Sequence, residues 1–85
     1  MNEDMYPVVT RAIEEVLDEN RKPRVAFDRK SRILQDLDLD SLNLALLIVK
    51  LEERTGRDPF RDGFENFQTV GELVDLYQKA DARTS

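Results

Sequence analysis

A chain of 85 residues makes one small domain, residues 1–85, that buries about 60–65% of its unfolded surface, too little for a deep catalytic cleft. It contains no cysteine and no histidine, which excludes disulfides and thiolate metal sites and removes the commonest general base and metal ligand. Both absences argue against an enzyme, and a formal net charge of -5 argues against nucleic acid as a partner.

The first helix is expected over Met5 to Asn20. Val9, Ala12, Ile13, Val16 and Leu17 recur at three- and four-residue spacing, one face of a 3.6-residue period. Pro7 suits a first turn, and Asn20 and Pro23 mark the stop. A long connection, residues 21–40, follows, and Val25, Phe27, Ile33, Leu34 and Leu37 are expected to pin it to the core. It opens with a basic block, residues 21–32, of six bases against one acid, between acidic segments. Such a block can dock an acidic partner. The simpler reading, a solvated loop beside acidic helix ends, is preferred, because a charge run is only a compositional signal.

A second helix is expected over Ser41 to Thr55, with Asp40 as N-cap and Gly56 as C-cap. Pro59 and Gly63 allow only a short helical turn within residues 57–68. A last helix begins after Thr69, where Thr69 and Glu72 have capping-box spacing and Val70, Leu73, Val74 and Tyr77 form the apolar stripe. No segment alternates as a strand. The expected fold is all-α, a small four-helix bundle with three principal helices, one short helix and a long loop between the first and second principal helices. The longest apolar run, Leu44 to Val49, is far short of the roughly 20 residues that span a membrane, and no signal segment opens the chain. The expectation is a soluble, cytoplasmic monomer with no membrane insertion.

The second helix has more apolar surface than a small bundle can bury. Leu44, Leu47, Ile48 and Leu51 share the face expected to meet the core, while Leu42, Leu46 and Val49 fall nearly opposite, with Ala45 beside them. A helix apolar nearly all round needs a second partner. The outer stripe therefore reads as a docking surface next to Ser41, a serine held in solvent at the first turn of a helix, just after an aspartate. Asp36, Asp38 and Asp40 mimic the start of a calcium loop, but the glycine and the bidentate glutamate it needs are Ser41 and Leu47 here, so no metal site is expected.

Leu37-Asp38-Leu39-Asp40-Ser41-Leu42 resembles the leucine–glycine–x–aspartate–serine–leucine signature of the acyl carrier protein family, taken broadly to include peptidyl carriers. Leu47, Leu51, Glu52 and Glu53 fit that family's second helix, and Thr69-Val70-Gly71-Glu72-Leu73 resembles the start of its last one. The resemblance implies a non-catalytic, acyl-carrier-like domain. In the family a phosphopantetheinyl transferase attaches a 4′-phosphopantetheine arm from coenzyme A to the signature serine, which implies that role for Ser41, within the motif residues Asp40 and Leu42. The arm's thiol holds acyl groups as thioesters and presents them to acyl-loading and acyl-processing enzymes. Docking is expected through Leu42, Leu46, Val49, Glu52 and Glu53.

The chain departs from the family pattern at Asp38, where glycine is usual, and at Asn43 and Leu46, where acids are frequent. These differences suggest partners reached more by apolar contact than by charge, and a specialised lipid, polyketide or nonribosomal peptide pathway. Phe60, Phe64 and Phe67 lie where the family's short third helix covers the acyl-binding region, with core packing as their default role. The competing reading is an unmodified helical interaction module that docks through the same outer face.

Overall fold

The structure, a computed structural model, describes residues 4–23, 25–60 and 66–80. Four helices follow in order: α1 (Met5–Glu19), α2 (Ile33–Asp36), α3 (Ser41–Thr55) and α4 (Val70–Lys79). The three long ones match the expected segments, because each end carries a local signal. Asp4 caps α1 by accepting from the N–H of Tyr6, and Asn20 closes it by donating backbone and side-chain N–H groups to the Val16 carbonyl. Gly56 ends α3 in the left-handed conformation, φ 67°, which glycine adopts without a Cβ clash.

The core forms where α1 lies against α3 and α4. Met5, Val9, Ala12, Ile13, Val16 and Leu17 of α1 meet Leu47 and Leu51 of α3 and Val70, Leu73, Val74 and Tyr77 of α4, all buried. Each fully buried aliphatic side chain contributes about 1.5–3 kcal/mol. The expected stripes of α1 and α4 are therefore the observed ones. Within α3 the expected core face is divided: Leu47 and Leu51 are buried, whereas Leu44 and Ile48 are only half-buried.

A short helix that the sequence reading did not expect, α2, lies in the long connection, which was expected to be a loop. Within residues 57–68, Pro59 and Phe60 form a turn, and residues 61–65, Gly63 and Phe64 included, are outside the described residues. Of the residues expected to pin the connection, Ile33 and Leu37 are buried and Phe27 packs against the core. Val25 and Leu34 are instead 39% and 48% exposed. Ile33 and Leu37 are four residues apart and point inward from α2, which turns Leu34 away from them. Leu39, which was not among the residues expected to pin the connection, is buried as well.

The connection is tied to the first turn of α4. The N–H groups of Val70 and Gly71, which no helical carbonyl can reach, donate to the carbonyls of Ser31 (2.9 Å) and Arg29 (2.8 Å). Glu72 N–H donates to Thr69 Oγ1, and the Glu72 carboxylate accepts from the N–H groups of Gln68 and Thr69, completing the expected capping box. A bridge between Arg32 and Thr69 adds the Ile33 N–H to the Gln68 carbonyl at 2.8 Å.

Candidate functional site

Ser41 is the first residue of α3 and is exposed. Asp40 stands before it in extended backbone and caps the helix: its carboxylate accepts from the Asn43 N–H at 2.8 Å. Asn43 answers by accepting from the Asp40 N–H through Oδ1 at 3.3 Å. Because Asp40 does the capping, no hydrogen bond among the described residues engages the Ser41 hydroxyl or the N–H groups of Ser41 and Leu42. The site thus presents a free hydroxyl beside two free N–H donors at the positive end of a helix, which suits an ester to a phosphate.

Asn43 is only 4% exposed. It is not available to a docking partner, so an acid at this place in other carriers has no surface counterpart here. Its capping role escaped the sequence reading, although its three-residue spacing from Asp40 was the available signal.

Asp38 has φ 57°, in the left-handed region. The conformation that glycine would supply is therefore kept with an aspartate, a residue that tolerates it better than most. The three alternating acids are each used locally. Asp36 accepts from the backbone N–H of Arg32 at 2.8 Å and pairs with its guanidinium, and the backbone bond first, then the cation, lowers its pKa. Asp38 lies 3.8 Å from Lys22, and Asp40 serves as the cap.

The basic block also turns to the chain's own acids. Besides Lys22 and Arg32, Arg29 pairs with Asp75 at 2.7 Å and lies over the Tyr6 ring at 5.9 Å. These contacts favour the reading of a loop lying beside acidic partners within the chain.

Leu42, Leu46 and Val49 are 68%, 46% and 53% exposed, and Ala45 beside them is exposed too. At 100° per residue they form one row along α3, which the exposed Glu53 continues four residues beyond Val49. Glu52 is half-buried, about a quarter-turn off that row. On the opposite flank of α3, Lys50 donates to Glu15 (3.3 Å) and Glu19 (3.0 Å), and Arg54 donates to Glu15. The outer row thus carries the apolar side chains, while the helix's cations are turned to α1.

A cleft of about 170 Å³ opens between α2, α3 and the segment before α4. Ile33, Leu34, Leu44 and Phe67 make its apolar wall, with Arg32, Gln35 and Gln68 completing the lining. It is comparable with the roughly 150 Å³ apolar cavity that admits a benzene ring. Behind it Phe67 stacks on Phe60, centroids 5.9 Å apart, and Phe60 meets Tyr77 edge-on at 6.4 Å, so these two phenylalanines do pack into the core.

Residues 7–77 match the family described as "Phosphopantetheine attachment site". The chain belongs to this family. Members of the phosphopantetheine carrier family hold a covalently attached 4′-phosphopantetheine, and the free hydroxyl at the start of α3 fits such a group. The chain is also 35% identical over 49 residues to "Acyl carrier protein 2" of Ralstonia nicotianae (strain ATCC BAA-1114 / GMI1000). That stretch covers 58% of this chain and 60% of the relative, less than two thirds of its length. No solved structure matches the chain. Among the described residues, no helix is long and apolar enough to cross a membrane.

Proposed function

We propose that Ser41 is the attachment point of the 4′-phosphopantetheine arm and that the chain is a non-catalytic carrier of acyl groups. The observation that carries this reading is the free, exposed Ser41 hydroxyl, held at a helix start by a cap that Asp40 provides in its place. When bound, the arm supplies a thiol on which acyl groups are held as thioesters. The chain's own part is to hold the serine outward, favour the phosphodiester's charge with the helix end, and contribute no competing thiol, since it has no cysteine.

Partners are a phosphopantetheinyl transferase and the enzymes that load and process the cargo. They dock on Leu42, Leu46 and Val49, with Glu53 continuing the row and Glu52 at its border. Truncation of a central docking side chain commonly costs 2 kcal/mol or more, that is about 30-fold or more in affinity. The apolar cleft bordered by Leu44, three residues beyond Ser41, shelters a short acyl chain. The scarcity of acids along the outer row favours a specialised lipid, polyketide or nonribosomal peptide pathway, served by a cytoplasmic monomer.

Intact mass after incubation with coenzyme A, magnesium and a promiscuous phosphopantetheinyl transferase tests the attachment. One phosphopantetheine added to wild type and none to Ser41→Ala is the expected result. Equal addition to both would move the site elsewhere. No addition to folded wild type would favour an unmodified interaction module docking through the same exposed row.

A further inference from the structure

We infer that Asn43 is a positioning residue for the modification of Ser41, setting the serine's place through its reciprocal cap with Asp40; this rests on attachment at Ser41. Asp40 is still extended, and Ser41 is already helical, so the position of the hydroxyl depends on where the chain turns between them. Two hydrogen bonds span that turn, and Asn43 is a partner in both, at 2.8 Å through its N–H and at 3.3 Å through Oδ1. The Asp40 N–H has no other acceptor among the described residues.

The burial of Asn43 is the second observation. Among the described residues it is the buried polar one, 4% exposed, beneath a serine and a leucine that both face solvent. It precedes the buried Leu47 by four residues, on the face turned inward, where packing alone favours an aliphatic side chain. A polar group kept there is accounted for by the bond it makes. That bond ends on the residue immediately before the serine, so its effect is on presentation: a transferase meets a turn already in its bound form and avoids the conformational cost of ordering it.

Two variants separate presentation from stability. Asn43→Leu keeps an inward branched side chain and removes the acceptor, while Asn43→Asp keeps the acceptor and the size. Modification kinetics are read from intact mass, and amide exchange at Asp40 is followed alongside a thermal melt. The expected result for Asn43→Leu is a KM for the carrier raised about fivefold at unchanged kcat, with faster exchange at Asp40, whatever its melting temperature. Asn43→Asp should stay within about twofold of wild type. Wild-type KM in Asn43→Leu, an Asn43→Asp variant as slow as Asn43→Leu, or rates that follow melting temperature alone would each overturn the inference. No modification of wild type would overturn the Ser41 reading and this one together; modified wild type with an unaffected Asn43→Leu would overturn this one alone.

Discussion

The N–H of Gly71 donates to the carbonyl of Arg29 at 2.8 Å, and a Cβ on residue 71 would stand 2.9 Å from that same oxygen. The backbone of the long connection approaches α4 so closely there that only glycine fits. Gly71→Ala must therefore push the connection outward and stretch the bond that holds it. We expect a loss of about 1–3 kcal/mol in urea unfolding, since overpacking commonly costs that much. Gly56→Ala tests a different effect, because a Cβ there meets nothing within 4 Å and the penalty comes from its φ of 67° alone.

Asp38 occupies the left-handed region at φ 57°, and its ion pair with Lys22 is long, 3.8 Å, with the aspartate side chain exposed. Such a pair contributes little. Asp38→Ala should then cost about 1 kcal/mol through backbone strain, while Asp38→Gly should unfold at the same urea concentration as wild type or higher. If Asp38→Gly is the less stable of the two, the Lys22 contact matters more than the backbone.

Three carboxylates have lowered pKa values that link the fold's stability to acid pH. Glu15 is held below its ordinary value of 4.5 chiefly by its hydrogen bond from Arg54, then by Lys50. Asp36 is lowered by the Arg32 backbone N–H and side chain, and Glu72 by the backbone N–H groups of Gln68 and Thr69. A folded-state pKa below the unfolded one gives stability that is present above the unfolded value and lost as pH falls through the folded one. Stability should therefore be flat above pH 5 and decline below about 4.5, and Glu72→Gln should shallow that decline in pH-dependent urea melts.

The Tyr77 hydroxyl is fully buried with no hydrogen-bond partner among the described residues, and burial first, then the charges of Glu52 and Asp58, raises its pKa well above 10.0. A raised phenol pKa gives stability that is complete below the unfolded value and lost as pH climbs past it. Tyr77→Phe removes an unsatisfied polar atom while keeping the ring against Phe60. It should raise stability by about 1 kcal/mol at neutral pH and extend the alkaline range. Lower stability would mean that the hydroxyl is hydrogen-bonded in solution.

Leu46 is half-exposed in the middle of the outer row of α3. Leu46→Glu should leave the unfolding free energy from urea melts within about 0.5 kcal/mol of wild type, since it lies off the core. The rate at which a cognate partner enzyme uses the carrier should fall tenfold or more, about 1.4 kcal/mol. An unchanged rate would remove Leu46 from the proposed docking surface.

The long helices were legible because each carries its own start and stop: Asp40 and Gly56 bound α3, and Thr69 with Glu72 opens α4. Leu42, Leu46 and Val49 were legible as an outer row because helical periodicity alone separates them from Leu47 and Leu51. What depends on distant parts of the chain was not legible. Leu34 looked like a core residue until α2 formed and rotated it towards the cleft. The ties of Arg29 and Ser31 to α4 are long-range backbone bonds, which leave no mark in composition. Asp38 stands where glycine is usual in the family pattern, yet its backbone adopts the left-handed conformation all the same.

The ion pairs of Lys50 and Arg54 with Glu15 and Glu19 fasten the C-terminal half of α3 to α1, while the outer row begins at the other end, beside Ser41. One helix thus separates its ion-paired flank from its exposed row by face, since Val49 and Glu53 of that row lie in the same half as Lys50 and Arg54. Residues 42, 45, 46 and 49 are exposed, so substitutions there should have little effect on folding, and that surface can be rewritten on an otherwise unaltered scaffold. Under the proposed docking, re-targeting such a chain amounts to exchanging its exposed row while the flank that Lys50 and Arg54 fasten to α1 is left as it stands.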